Sequence, residues 1–141
     1  MLTENVALAL GLCRSQAALR RRVEAPLSAA HGIGFTDFMI MSELSTVQGG
    51  RLRSIDLAQR LMLSPSGITR AVLPLQESGL VERVAHERDA RAGYIALTSA
   101  GRERVAQAMP TVDRIVRETC GGTITRTDRI ALLGLFERLG Y

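Results

Sequence analysis
The chain has 141 residues, 46% of them hydrophobic, which suffices for one globular domain with its own core and calls for no second domain. All 18 basic residues are arginine, against 14 acidic ones, for a formal net charge of +4. Coding-base composition accounts for an all-arginine set as well as a preference for bidentate phosphate or carboxylate pairing does, so position carries the argument rather than number. No apolar run approaches the ~20 residues that span a bilayer, and Glu4 near the start stands where a basic leader would be, so a cytoplasmic protein without membrane contact is expected.

From Thr3 to about Ala30 the pattern is that of a long helix with two apolar stripes, one of Val6, Leu10, Cys13 and Ala17, the other of Leu8, Leu12, Leu19 and Val23. Two stripes predict two buried sides, hence contact with a partner subunit as well as with the chain itself. Gly32 and Gly34 close this segment. Thr36 is the expected cap of a second helix, Asp37 to about Ser45, with Phe38, Met41 and Leu44 turned to the core. Arg51-Leu52-Arg53 then reads as a short strand, and Ser54 as the cap of a helix from Ile55 to Leu61 with Ile55, Ala58, Leu61 and Met62 facing inward.

The most informative stretch is Leu63-Ser64-Pro65-Ser66-Gly67-Ile68-Thr69-Arg70. The Ser64 hydroxyl is suited to accept from the free N–H groups of a first helical turn, and Pro65 is preorganised for the first helical position. Ile68, Ala71, Val72 and Leu75 form one buried stripe, which leaves Ser66, Gly67, Thr69, Arg70 and Leu73 on other faces. A small, hydroxylic and basic face of this kind lets a helix approach base edges in a major groove. Gly79 supplies the left-handed residue that stops the helix. Two short strands follow, Leu80 to Ala85 and Gly93 to Thr98, joined by a polar loop that contains Arg88, Asp89 and Arg91. An arginine at such a tip suits a narrow minor groove, with Asp89 placed to hold the Arg91 guanidinium. The plainer alternative is a solvated hairpin tip. The expected contacts to double-stranded DNA are therefore Ser64, Ser66, Gly67, Thr69, Arg70, Arg88, Asp89 and Arg91.

Ser99 to Cys120 is predicted as a further long helix with Val105, Met109, Val112 and Val116 on its apolar side, closed by Gly121-Gly122. Thr125 and Asp128 begin the last helix in the manner of a capping box. Its stripe of Ile130, Leu133, Phe136 and Leu139 calls for docking, most economically against a twofold-related copy. Two reading helices set roughly 34 Å apart would then read a pseudo-palindrome. Pro74 and Pro110 fall inside helices, and a bend is expected near Arg70 to Pro74.

Taken together, the Leu63 to Arg70 block, Glu77-Ser78-Gly79-Leu80-Val81-Glu82-Arg83, and Asp89-Ala90-Arg91 running into Leu97-Thr98-Ser99-Ala100-Gly101-Arg102 resemble the MarR-type winged-helix transcriptional regulators. The resemblance implies a mainly α fold with a small β-wing, a single domain over 1–141. Residues 35–98 would form the winged helix-turn-helix, and 3–31 with 99–141 the helical dimerisation part. It also implies a homodimeric regulator, a repressor released by a small aromatic or phenolic ligand held where the dimer helices meet the winged helix. Arg20, His31, Phe38 and Met41 are the candidate ligand contacts, with Met39, Arg21 and Arg22 near them. The plainer reading puts Phe38 and Met41 in the core, His31 at a cap or in solvent, and the arginines on a wet face. The family usually carries a helix-compatible polar residue where this chain has Pro74.

Two further readings of the same fold stand beside this one. A redox-sensing branch would use Cys13, but its place on an apolar stripe favours a small core hydrophobe, and the tyrosines that branch uses are missing nearby. A winged helix used only for protein contacts would replace the basic face with apolar groups. Two cysteines so far apart suggest neither zinc nor a disulfide framework. Two histidines in expected loops, no metal-ligand cluster, no phosphate loop and no nucleophile elbow argue against an enzyme, a cofactor or a bound metal.

Overall fold
The structure is a computed structural model that describes residues 1–85 and 93–140. Among these, six α-helices and three short strands follow in order: α1 (Glu4–His31), α2 (Phe35–Thr46), β1 (Arg51–Arg53), α3 (Ser54–Arg60), α4 (Pro65–Glu77), β2 (Val81–Ala85), β3 (Gly93–Leu97), α5 (Ser99–Cys120) and α6 (Arg126–Leu139). The fold is mainly α with a small antiparallel sheet in the order β1-β3-β2. Register runs from Arg51 opposite Ala96 to Arg53 opposite Tyr94, and from Val81 opposite Leu97 to Ala85 opposite Gly93.

One core joins these elements. Val23 and Leu27 of α1 meet Ile40, Met41 and Leu44 of α2, Leu57 of α3, Ile68, Val72 and Leu75 of α4, Ile95 of β3, and Val105 and Ala108 of α5. Side chains of this kind each contribute about 1.5–3 kcal/mol on full burial, so α4 is fastened by its inner face. The first twenty residues contribute no buried side chain, and α6 contributes none. Leu8, Leu12, Ile130, Leu133 and Leu139 stand open on the single chain.

Local chemistry sets the helix ends. Thr3 caps α1 by accepting from the Val6 N–H, and Gly32 closes it in the left-handed region at φ 65°. Thr98 caps α5 by accepting from the Gly101 N–H, and its hydroxyl proton is shared between the carbonyls of Gly79 (2.7 Å) and Leu80 (3.0 Å). Gly79 takes φ 72° after α4, as expected. Helix α4 runs unbroken through Pro74, which lies on its exposed side.

Several expectations are corrected. Thr36 does not cap α2. The helix starts two residues earlier, at Phe35 behind Gly34, whose N–H donates to the Asp37 carboxylate at 2.8 Å, and the Thr36 hydroxyl accepts instead from Arg20. Ser54 is the first residue of α3 rather than its cap, and Arg53 in the cap position binds Asp56 through two contacts of 2.6 and 2.9 Å. Ile55 and Met62 are exposed, because α3 is only two turns long and its inward side is filled by Leu57 and Ala58. The buried side of α5 runs through Val105, Ala108 and Ile115 with Val112 partly covered, whereas Met109 is exposed and Val116 half-buried. Cys13 is exposed rather than a core hydrophobe.

The first turn of α5 lies so close to the hairpin that a Cβ on Gly101 would run into the Leu80 carbonyl oxygen and the Leu97 Cδ1. Gly101→Ala is expected to destabilise the fold by about 1–3 kcal/mol, as overpacking does, read as a lower midpoint in urea. Two carboxylates in the first turns of α3 and α6 give a pH signature. The Arg53 hydrogen bond holds Asp56 below the ordinary carboxylate range, and the Thr125 side chain and backbone do the same for Asp128. Their stabilising contributions are full above the unfolded value of about 3.9 and are lost as pH falls through the lower folded values. Carboxyl NMR titration is expected to give both midpoints below that of an unfolded peptide, and Arg53→Ala is expected to raise that of Asp56 alone.

Candidate nucleic-acid interface
Helices α3 and α4 are joined by four residues, 61–64, which bring the α4 N-terminus to the surface while its inner face stays fixed. The turn includes Met62 at φ 53°, a left-handed conformation that non-glycine residues adopt at some cost. Ser64 then caps α4, its Oγ accepting from the Gly67 N–H at 3.0 Å and lying 3.2 Å from the Ser66 Oγ. A Cβ on Gly67 would press against the Ser64 Oγ at 3.0 Å, so glycine there preserves the cap. Thr69 donates its hydroxyl proton to the Pro65 carbonyl at 3.0 Å. That leaves the methyl and the oxygen lone pairs of Thr69 for an outside partner.

Of the residues expected to contact DNA, the structure brings Ser64, Ser66, Gly67, Thr69 and Arg70 together on the first turns of α4. All are exposed except half-buried Gly67. Arg70 has no ion-pair partner among the described residues. Arg88, Asp89 and Arg91 lie outside the described residues. The paired strands on either side of them end at Ala85 and begin at Gly93, with exposed Arg83 on β2.

Two more arginines accompany this surface. In β1 the exposed Arg51 and Arg53 alternate with half-buried Leu52, and the Arg51 guanidinium carbon sits 5.7 Å from the centre of the Tyr94 ring. Sequence reasoning took Arg51-Leu52-Arg53 only as a strand. The alternation that places both guanidinium groups on the outer face was the available signal.

Among the described residues the candidate ligand contacts occupy different local surroundings. Phe38 and Met41 are core residues, Phe38 stacking on Phe35 with ring centres 6.4 Å apart. Arg20 donates to Thr36 at 2.7 Å and lies over Phe35. Half-buried His31 meets the Thr111 hydroxyl through Nε2 at 2.8 Å, and its carbonyl accepts from Arg104. Arg22 bonds to Thr119. Of these residues Phe38 and Met39 line a common cavity, between α1, α2, α3 and α5. No helix among the described residues is long and apolar enough to cross a membrane.

A model of the MarR family matches residues 31–92. The HTH-type transcriptional regulator PrsX of Escherichia coli is 33% identical over 72 residues, 51% of this chain and 43% of that protein, so the chain spans less than half the length of this curated relative. Two crystal structures from Streptomyces coelicolor share the fold. The MarR family regulator Sco3205, solved in complex with DNA, superposes with a TM-score of 0.84 at 21% identity, over 99% of this chain and 89% of that one. AbsC, another MarR family regulator, superposes with a TM-score of 0.82 at 25% identity, over 99% of this chain and 95% of that one. The matched segment takes in α2, α3, α4 and β2, so this chain is similar to the MarR family in sequence over that segment and shares its fold along the whole length.

Proposed function
We propose that the chain is a sequence-specific DNA-binding transcriptional regulator, a repressor that reads a pseudo-palindromic operator as a homodimer and is released by a small molecule. The observation that carries this reading is the exposed first turns of α4, where small hydroxylic residues and Arg70, without an ion-pair partner among the described residues, stand on a helix fastened by Ile68, Val72 and Leu75. The helix is thin enough there to enter a major groove, with Thr69 offered to a thymine methyl and Arg70 to guanine or phosphate. Residues 35–98 are assigned to reading and residues 3–31 with 99–141 to dimerisation. The dimer assignment is supported by the apolar side chains that α1 and α6 leave exposed on the single chain, among them Leu8, Leu12, Ile130, Leu133 and Phe136. That Sco3205 was solved with DNA supports the same reading by analogy of fold.

Selection from random duplex DNA, followed by competition at physiological salt, tests the proposal. A palindromic winner preferred roughly a thousandfold over non-specific DNA is expected. Binding that stays non-specific and vanishes as salt rises would reduce the basic surface to phosphate attraction. Arg70→Ala is expected to relax base preference at one position per half-site, at a cost of about 1–3 kcal/mol. Arg91→Ala is expected to weaken binding and lower A·T preference at the flanks. Equal binding of both variants to every sequence would remove these residues from the interface.

A further inference from the structure
Leu73 stands on the exposed side of α4, 54% open to solvent. Single exposed leucines are ordinary on protein surfaces, so the register of this one is what matters. Counting on from Ser66, Thr69 falls at the third position, Arg70 at the fourth and Leu73 at the seventh. Residues spaced in this way share one face of a helix, and a reading helix uses the same spacing when four of its side chains reach base edges in a major groove. Leu73 therefore continues, one turn further along, the row formed by Ser66, Thr69 and Arg70. Its neighbours on that face, Thr69, Arg70, Gln76 and Glu77, are all polar and exposed. The leucine is an isolated apolar point in a polar row, unlike the contiguous apolar patches that dock proteins.

A leucine side chain has no donor or acceptor, so it cannot match the hydrogen-bonding pattern of a base edge. The apolar group that B-DNA presents in its major groove is the C5-methyl of thymine. Against another base edge the side chain would strip water from polar atoms without replacing the lost hydrogen bonds. One contact thus favours thymine and disfavours its competitors. We propose that Leu73 is a specificity-determining residue that reads one thymine methyl in each half-site of the operator. The proposal rests on the reading of α4 as the recognition helix of a DNA-binding dimer and names a base that it selects. Leu73 lies four residues beyond Thr69, about 6 Å along the helix axis. The two side chains therefore meet different base pairs, about two steps of ~3.4 Å apart.

The test takes the site selected by the wild-type chain and replaces each thymine in turn, in both half-sites, by deoxyuridine, which removes the methyl and keeps every hydrogen bond. Affinities of wild type, Leu73→Ala and Thr69→Ser are measured for each duplex, with thermal melting as the check on folding. Leu73 is exposed and alanine is a strong helix former, so the melting temperature of Leu73→Ala is expected to hold. For wild type, loss of one particular methyl is expected to weaken binding about fourfold per half-site, the worth of one buried methyl group. Leu73→Ala is expected to bind the unmodified site more weakly by a similar factor and to lose nothing further at that thymine, whereas Thr69→Ser keeps the sensitivity there. Deoxyuridine without effect at every position, or with the same effect on Leu73→Ala as on wild type at every position, overturns the assignment of Leu73 and leaves the regulator reading standing. A wild-type chain that selects no site overturns that reading and this assignment with it.

Discussion

Everything the surface of α4 offers depends on the burial of its other side. Ile68, Val72 and Leu75 are held between α2 and α3 by Ile40, Met41, Leu44 and Leu57, all of them essentially inaccessible. A helix of thirteen residues is marginal in water on its own, so tertiary packing gives α4 its persistence. The division of labour follows from helix periodicity. Residues at one set of positions anchor, and Ser66, Thr69 and Arg70, about a quarter of a turn or more from the centre of that stripe, are left to face outward from a fixed platform.

What could be read from the sequence was whatever depends on near neighbours. Ser64 and Pro65 announce the start of α4 within four residues, and the structure finds the Ser64 cap in place. Thr125 and Asp128 announce α6 in the same way, and both halves of that capping box form. The errors arose where two local solutions compete. Near Gly34 a threonine and an aspartate both suit a helix start, and Asp37 wins because its carboxylate reaches back three residues to the Gly34 N–H. At Ser54 the Arg53 to Asp56 ion pair sets the start of α3 without a hydroxyl cap. On α5, 3.6-residue periodicity admits neighbouring stripes, and contact with α1 and α2 selects the one through Ala108 and Ile115. The cavity between α1, α2, α3 and α5 was the least legible part. Glu43 and Arg60, which pair on its wall, lie seventeen positions apart, and whether the Ser42 hydroxyl buried there has a partner is decided by atoms from other elements.

The single chain is unevenly finished. Its middle, from α2 to the start of α5, buries most of its large apolar residues, with Ile55, Met62 and Leu73 as exceptions, whereas α1 before Leu19 and the whole of α6 bury none. A narrow apolar groove runs between them, lined by Leu12, Cys13, Leu19, Phe136 and Leu139. Exposed apolar surface on this scale is unusual for a monomer. Cys13 at its edge explains why the apolar pattern around that residue was misread as core: the stripe is real, and none of the described residues buries it.

The shared proton of Thr98 has a consequence for how motion passes through the molecule. One hydroxyl ties the end of α4, through Gly79 and Leu80, to the first turn of α5, through Gly101, at a point where the absence of a Cβ lets the two backbones nearly touch. The knot leaves α5 no slack at its base. The length of α5 makes this junction a lever point: whatever displaces the far end of the helix bears directly on the hairpin and the exit of α4.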